Sequence, residues 1–112
     1  MPNLEIAKTY YDALQPGGDT AAIPFAEAFV FHGPAGTVEN ADAFRTLLGG
    51  LSQSVKQLDM RHQLAQGDCV ISVYDLDMGA PGGPIPMAER LRFAGDAIAE
   101  VELFFDSKRL GG

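Results

Sequence analysis

The sequence contains no tryptophan, one cysteine, few basic residues and no long apolar run. Cys69 stands alone, so no disulfide bond can form within the chain. Eight Lys and Arg residues against fifteen Asp and Glu residues give a formal net charge of −7, and the basic residues are scattered. Binding to nucleic acid or to an anionic membrane surface requires clustered basic side chains, so we expect neither partner.

The apolar segments also argue against a membrane or secreted protein. Each falls well short of the roughly 20 residues of a membrane-spanning helix. The first residues, MPNLEIAKTYYDAL, lack the apolar core of a signal peptide. We therefore expect a cytoplasmic protein.

Metal and nucleotide motifs are missing as well. His32 and His62 share no short metal-ligand motif, and the glycines of GAPGGP (79–84) follow no phosphate-loop spacing. The sequence therefore predicts no metal site and no cofactor.

The length of 112 residues, 46% of them hydrophobic, suits one domain over residues 1–112 with its own core. Its first half predicts three helices. The first follows Asn3 as N-cap, the second is shortened or kinked by Pro24, and the third follows Asn40. Between the last two, FVFHGPAGTVEN predicts a short strand and a Gly/Pro turn, with room for a second strand.

The second half predicts an antiparallel meander, and helices followed by a meander indicate an α+β domain. The register of its last hairpin follows from side-chain pairing. A two-residue turn would set Glu89 opposite Glu102, whereas a three-residue loop, Gly95–Ala97, sets Glu89 opposite Leu103. We predict the second register, which pairs Arg90 with Glu102 and Arg92 with Glu100 on the other face. The predicted strands are residues 57–66, 69–78, 85–94 and 97–106.

Glu89 stands out within PIPMAERLRF (84–93), which alternates as a half-buried strand does. It shares its parity with Ile85, Met87, Leu91 and Phe93. A buried carboxylate is costly unless it is hydrogen-bonded, paired or protonated. We interpret Glu89 as a carboxyl group with a raised pKa in a pocket, where it acts as hydrogen-bond donor or general acid. The alternative is a residue at a strand end that reaches solvent.

His62 lies in LDMRHQL and shares its parity with Leu58, Met60 and Leu64. A neutral imidazole on that apolar face is a candidate general base, because its ordinary pKa lies near physiological pH. The alternative is a core histidine bonded to the backbone or to Ser72.

Four segments together resemble the nuclear transport factor 2-like superfamily, in its ketosteroid isomerase and SnoaL-like polyketide cyclase branch. They are YYDALQPGGD (10–19), FAEAFVFHGPAG (25–36), ENADAFRTLL (39–48) and RLRFAGDAIAEVELFFD (90–106). The resemblance implies a cone-shaped, curved antiparallel sheet wrapped around the three N-terminal helices. It also implies a mostly apolar pocket and, commonly, a homodimer.

The resemblance also assigns individual residues. It puts Tyr10 at the oxyanion-binding tyrosine of the isomerases and Glu89 at their protonated carboxylic acid. Their general base falls on Gly33, which cannot accept a proton. The pocket aspartate of the limonene epoxide hydrolase branch falls on Leu103.

Two functions follow as expectations. The first is acid–base isomerisation, cyclisation or hydration of a small apolar carbonyl or hydroxyl compound. In it, Tyr10 and Glu89 bind developing negative charge and His62 acts as base. The second is a noncatalytic small-ligand-binding or dimerisation module. In either case we expect the ligand to contact Phe29, Phe31, Met60, Met87, Leu91, Leu103 and Phe105.

Overall fold

The computed structural model of the protein describes residues 3–110. Among these, neither helix has the length or apolar character needed to cross a bilayer. The helices are α1 (Asn3–Ala13) and α2 (Ala41–Ser52), and the strands are β1 (Phe25–Gly33), β2 (Gly36–Val38), β3 (Gln57–Gln66), β4 (Cys69–Asp77), β5 (Ile85–Ala94) and β6 (Ala97–Phe104). Single 3₁₀ turns lie at Thr20–Ala22 and Ser107–Leu110.

The strands form one curved sheet in the order β2-β1-β6-β5-β4-β3. Neighbouring strands are antiparallel except β1 and β6, which are parallel. Helix α1 packs against β3 and β4, and α2 packs against β1 and β2. The space between the helices and the inner face of the sheet holds the core.

Helix α1 turns a buried stripe toward the sheet. Ile6, Ala7, Tyr10 and Tyr11 lie on that stripe, at the spacing that places side chains on one face of a helix. The chain turns away shortly after Ala13, where Gly17 adopts a φ of 80° that glycine tolerates best. The stripe fixes where Tyr10 meets the sheet.

The prediction of three N-terminal helices is wrong in its second helix. Asp19 does cap a turn, because its carboxylate accepts a hydrogen bond from the Ala21 amide at 3.0 Å. The turn stops after Ala22, since Pro24 has no amide hydrogen for a further helical bond. Strand β1 begins at the next residue, Phe25, and is longer than the short strand expected.

Helix α2 begins as predicted. The Asn40 side chain caps it by accepting a hydrogen bond from the Ala43 amide at 2.9 Å. Phe44 and Leu48 are buried on its inner face. They cover the sheet near β1, on the far side of the core from α1.

The hairpin of β5 and β6 has the predicted register but a different turn. Glu89 lies opposite Leu103, and Arg90 lies opposite Glu102. The loop itself has two residues, because Ala94 pairs with Ala97. The register then shifts by one residue between Arg92 and Phe93, as it does at a β-bulge. This extra residue in β6 takes the place of the third loop residue that was predicted.

This register sends the charged residues of the hairpin to the outer face. Arg90 contacts Glu100 at 2.8 Å and Glu102 at 3.2 Å, and Arg92 contacts Glu100 at 3.1 Å. The Arg90 guanidinium beside Glu100 lowers the pKa of that carboxyl group below its usual value. Glu89 has the opposite parity and therefore faces the core.

Candidate active site

Glu89 lies in the middle of β5 with its carboxyl group enclosed by two tyrosines. Its side chain is 2% exposed. Tyr10 of α1 donates a hydrogen bond to Oε2 at 2.9 Å, and Tyr74 of β4 donates to Oε1 at 2.9 Å. Each carboxyl oxygen therefore has its own phenolic donor.

The protonation of this cluster follows from its burial. Burial raises the pKa of Glu89 from 4.5 to about 7, against the tyrosine hydrogen bonds, which lower it. Burial, followed by the nearby Glu89 charge, raises the pKa of Tyr10 and of Tyr74 well above 10. Near neutral pH, both tyrosines are neutral donors, and Glu89 is present in both its protonated and its ionised form.

Tyr11 and Ser72 lie behind Glu89. Ser72 is Glu89's partner on β4, is fully buried, and accepts a hydrogen bond from Gln63 at 3.1 Å. The Tyr11 hydroxyl is buried without a hydrogen-bond partner among the described residues. Burial and the Glu89 charge raise the pKa of Tyr11 well above 10, so it too stays neutral.

A cavity of about 320 Å³ lies in front of the cluster. The polar side chains of Tyr10, Tyr74 and Glu89 line it together with Thr37, and no Lys, Arg, His or Asp of residues 3–108 does so. Leu47 and Thr37 are exposed members of the lining, so the opening lies between the β1–β2 turn and α2. The cavity is an apolar chamber with an acid–base cluster in its wall.

Four of the seven expected ligand contacts line this cavity: Phe31, Met87, Leu103 and Phe105. The other three do not. Phe29 packs instead between Phe25 and Phe44, with ring centroids 4.8 and 5.2 Å away. Leu91 is fully buried beside Val101, its partner on β6, and Met60 is a half-buried residue of β3.

His62 lies outside the cavity. The pairing of β3 with β4 shifts between Met60 and His62, so the parity of the strand reverses there. His62 is consequently exposed, although Leu58 before the shift is buried. The expectation that His62 shares an apolar face with Leu58 and Met60 is wrong, and no histidine in the described part of the chain lines the cavity.

Gly33 offers no base either, and a side chain at this position would displace the Phe31 ring. A Cβ atom at Gly33 would lie 2.7 Å from Cζ of Phe31, closer than two carbon atoms can pack. His32 beside it points to the outer face, where its Nε2 lies 3.5 Å from Glu100 and its Nδ1 lies 3.3 Å from the Thr37 hydroxyl. The Phe31 ring stacks on Phe44 with centroids 4.7 Å apart.

Tyr74 is the residue of the cluster that sequence reasoning missed. The alternation of β4 gives a usable signal, because Val70, Ser72, Tyr74 and Leu76 share one parity and are all buried. Locating Tyr74 beside Glu89 also requires the register of β4 against β5, which the long connection between these strands does not specify. Helix α2 supplies further lining residues, Phe44, Leu47, Leu48 and Leu51.

Within residues 3–110, no group of three or more His, Cys, Asp or Glu side chains is placed to hold a metal ion. The cluster at Glu89 combines one carboxyl group with the phenols of Tyr10 and Tyr74.

The family of the chain follows from its sequence. A family model described as the SnoaL-like domain matches residues 7–101. The chain belongs to the SnoaL-like family. The resemblance to the nuclear transport factor 2-like superfamily is thereby confirmed. A comparison with curated proteins finds no match for this SnoaL-like chain.

Solved structures share the fold of this SnoaL-like protein. A protein from Kribbella flavida is 25% identical, with a TM-score of 0.86 and coverage of 96% of this chain and 89% of that chain. An NTF2-like protein of unknown function from Cytophaga hutchinsonii is 19% identical, with a TM-score of 0.85 and coverage of 100% and 96%. A candidate SnoaL-like polyketide cyclase from Shewanella putrefaciens is 18% identical, with a TM-score of 0.77 and coverage of 99% and 84%.

Proposed function

We propose that this SnoaL-like protein binds a small, uncharged carbonyl compound in its cavity and activates it by proton donation from Glu89. The observation that carries the proposal is the Glu89 carboxyl group, hydrogen-bonded to Tyr10 and Tyr74 in the wall of an otherwise apolar chamber. In this proposal Glu89 is the general acid, and the two tyrosines hold its carboxyl group by hydrogen bonds.

The cavity restricts the ligand in size and charge. A volume of about 320 Å³ lies at the lower end of small-molecule sites, so the ligand is compact. An anionic ligand would lie next to Glu89 without a cationic partner among the described lining residues, which is electrostatically unfavourable. An uncharged, largely apolar molecule with one polar group fits both the walls and the cluster.

The class of reaction is restricted because the described cavity lining has one acid, Glu89, and no separate base. A group with a pKa of about 7 is well suited to donate and recover a proton near neutral pH. Isomerisation through removal of a carbon-bound proton needs a base, and no second carboxylate or imidazole of residues 3–110 lines the cavity. Addition of water to a carbonyl needs mainly protonation of the oxygen, whereas addition of another carbon of the same substrate also needs a base to take the proton of that carbon. Hydration is therefore favoured over isomerisation and cyclisation.

The descriptions of two relatives support a carbonyl substrate. Two solved structures with this fold are described as candidate polyketide cyclases, from Sinorhizobium meliloti and Shewanella putrefaciens. Cyclisation of a polyketide joins a carbon to a carbonyl of the same chain, so it also acts on a carbonyl compound.

A noncatalytic binding module is the second candidate. The absence of a base among the described lining residues favours it, because a donor cluster in an apolar chamber binds a carbonyl compound whether or not a reaction follows.

Exchange of the carbonyl oxygen of acetophenone in ¹⁸O-labelled water separates these candidates. Water adds to the carbonyl carbon while Glu89 gives its proton to the oxygen, and the Glu89 carboxylate then takes the proton that the added water loses. The reverse reaction, in which the unlabelled oxygen leaves as water, leaves the label in the ketone. We expect mass spectrometry to show faster labelling with the wild-type protein than with Glu89→Gln at equal probe occupancy. Equal rates with measurable binding would favour the binding module, and absence of acetophenone binding would contradict the carbonyl proposal.

A further inference from the structure

The hydrogen atoms of the Glu89 cluster can be counted, because its contacts are defined. There are two contacts, Tyr10 to Oε2 and Tyr74 to Oε1, both 2.9 Å long. When Glu89 is ionised, the two phenolic hydrogens fill both contacts and none remains for a ligand. When Glu89 is protonated, three hydrogens serve the same two contacts. One hydrogen is then left over to point into the cavity.

Neighbouring groups do not change this difference of one hydrogen. Tyr11 adds the same hydrogen in both charge states, since it has no partner among the described residues. Ser72 faces Glu89 from β4 and is held by Gln63, and Leu103 faces it from β6. Helix α2 contributes apolar side chains to the cavity, and none of the charged side chains of residues 3–108 other than Glu89 lines it. Thr37, the remaining polar side chain of the lining, has its hydroxyl 3.3 Å from Nδ1 of His32. Within the cluster, the charge state of Glu89 therefore decides whether a hydrogen is left to donate.

We infer that a ligand with a hydrogen-bond acceptor and no donor, namely a ketone or an aldehyde, binds only the protonated cluster, so that above neutral pH its binding transfers one proton from water onto Glu89. This inference rests on the proposed function and specifies its ligand. A carbonyl oxygen brings no hydrogen, so it needs the protonated cluster. An alcohol brings its own hydrogen and can donate to the ionised cluster, so its binding requires no proton uptake.

A matched pair of probes of nearly equal shape, acetophenone and 1-phenylethanol, tests this difference. Isothermal titration calorimetry in phosphate and in Tris buffer measures protons taken up, because the two buffers differ in their heat of ionisation. For acetophenone we expect an uptake close to one proton per ligand at about pH 8 and close to none at about pH 5. Its affinity should fall about tenfold per pH unit above the pKa of Glu89, which burial places at about 7. For 1-phenylethanol we expect no uptake at either pH.

Two variants identify the group that takes up the proton. Glu89→Gln keeps a donor at every pH, so acetophenone should bind it with no uptake and with an affinity that does not change between about pH 5 and 8. His32→Gln removes an imidazole from the outer face and should leave the uptake unchanged.

The outcomes distinguish this inference from the proposal it rests on. Acetophenone binding without proton uptake at about pH 8, or equal uptake with 1-phenylethanol, would overturn the inference and leave the carbonyl-binding proposal standing. Failure of acetophenone to bind at any pH between about 5 and 8 would overturn both.

Discussion

At Glu89, burial and hydrogen bonding act on the pKa in opposite directions. Removal of a carboxylate from water is costly, whereas two phenolic donors at 2.9 Å stabilise the charge. The pKa of about 7 shows that burial is the stronger effect. The result is a carboxyl group that changes its charge within the physiological pH range, where an exposed glutamate stays ionised.

The raised pKa of Glu89 makes the stability of the protein depend on pH. A group that binds protons more tightly when folded stabilises the fold fully below its unfolded pKa, and that contribution is lost as the pH rises through the folded value. The shift from 4.5 to about 7 corresponds to about 3 kcal/mol at about 1.4 kcal/mol per unit. We expect the free energy of unfolding, measured by urea denaturation and compared with Glu89→Gln, to fall by that order between about pH 4.5 and 7.5. A difference between the two proteins that stays constant over this range would contradict the prediction.

Two substitutions of Glu89 separate the effect of its hydrogen-bond donor from the effect of its side-chain volume. Glu89→Gln should keep the fold and bind acetophenone within a few-fold of wild type at about pH 6, because the amide still donates. Glu89→Ala should lose about tenfold or more in affinity, since it removes the donor and leaves Tyr10 and Tyr74 without their acceptor. Fluorescence or calorimetric titration measures both. Equal affinity of the two variants would show that Glu89 does not contact the ligand.

At the scale of elements, the second half of the chain was the more predictable. Strand β5 was predicted over residues 85–94 and forms over Ile85–Ala94, because alternation and flanking turn residues are local signals. The pairing of Glu89 with Leu103 was also predictable, since the other register opposes like charges. The apolar face that contains Glu89 follows from these two facts.

The remaining features depend on contacts between distant parts of the chain. The irregularity between Met60 and His62 reverses the parity of β3 and carries His62 out of the core, although the local alternation continues. The position of Tyr74 beside Glu89 depends on strand pairing across a long loop. Pro24 indicates the end of a helical segment from the sequence alone. The strand that follows it directly depends on the parallel pairing of β1 with β6, which local sequence does not specify.

Helix α2 contains a glycine whose cost to stability a substitution can measure. Gly50 is exposed in the helix, with no atom within 4 Å of the position of a Cβ. Alanine there should raise the free energy of unfolding by about 0.5–1 kcal/mol, because it restricts the unfolded chain and favours the helix. Thermal or urea denaturation checks this, with acetophenone affinity as a control for the cavity. A loss of stability would mean that Gly50 is needed for its backbone conformation.

At the scale of the whole molecule, the two faces of the sheet carry different groups of side chains. The inner face holds the cavity and the acid–base cluster. The outer face carries the ion pairs of Arg90 and Arg92 together with exposed Leu64, Ile71 and Phe104. Exposed apolar residues among charged ones are a composition found at protein interfaces.

We expect the protein to form a homodimer through this outer face. Light scattering should then give twice the monomer mass of 11.9 kDa at micromolar concentration. Phe104 is 56% exposed, so Phe104→Glu should shift the mass toward the monomer without loss of acetophenone binding. A monomer mass for the wild type across the micromolar range would contradict the prediction.

The protonation of Glu89 is the claim on which binding, catalysis and pH dependence all depend. A carbon-13 NMR titration of the Glu89 carboxyl group, assigned by its absence in Glu89→Gln, measures it directly in the protein without a ligand. We predict an apparent pKa of about 7, set by burial against the two tyrosine hydrogen bonds. An apparent pKa at or below 4.5 would mean an ionised, solvated side chain and would contradict the donor cluster.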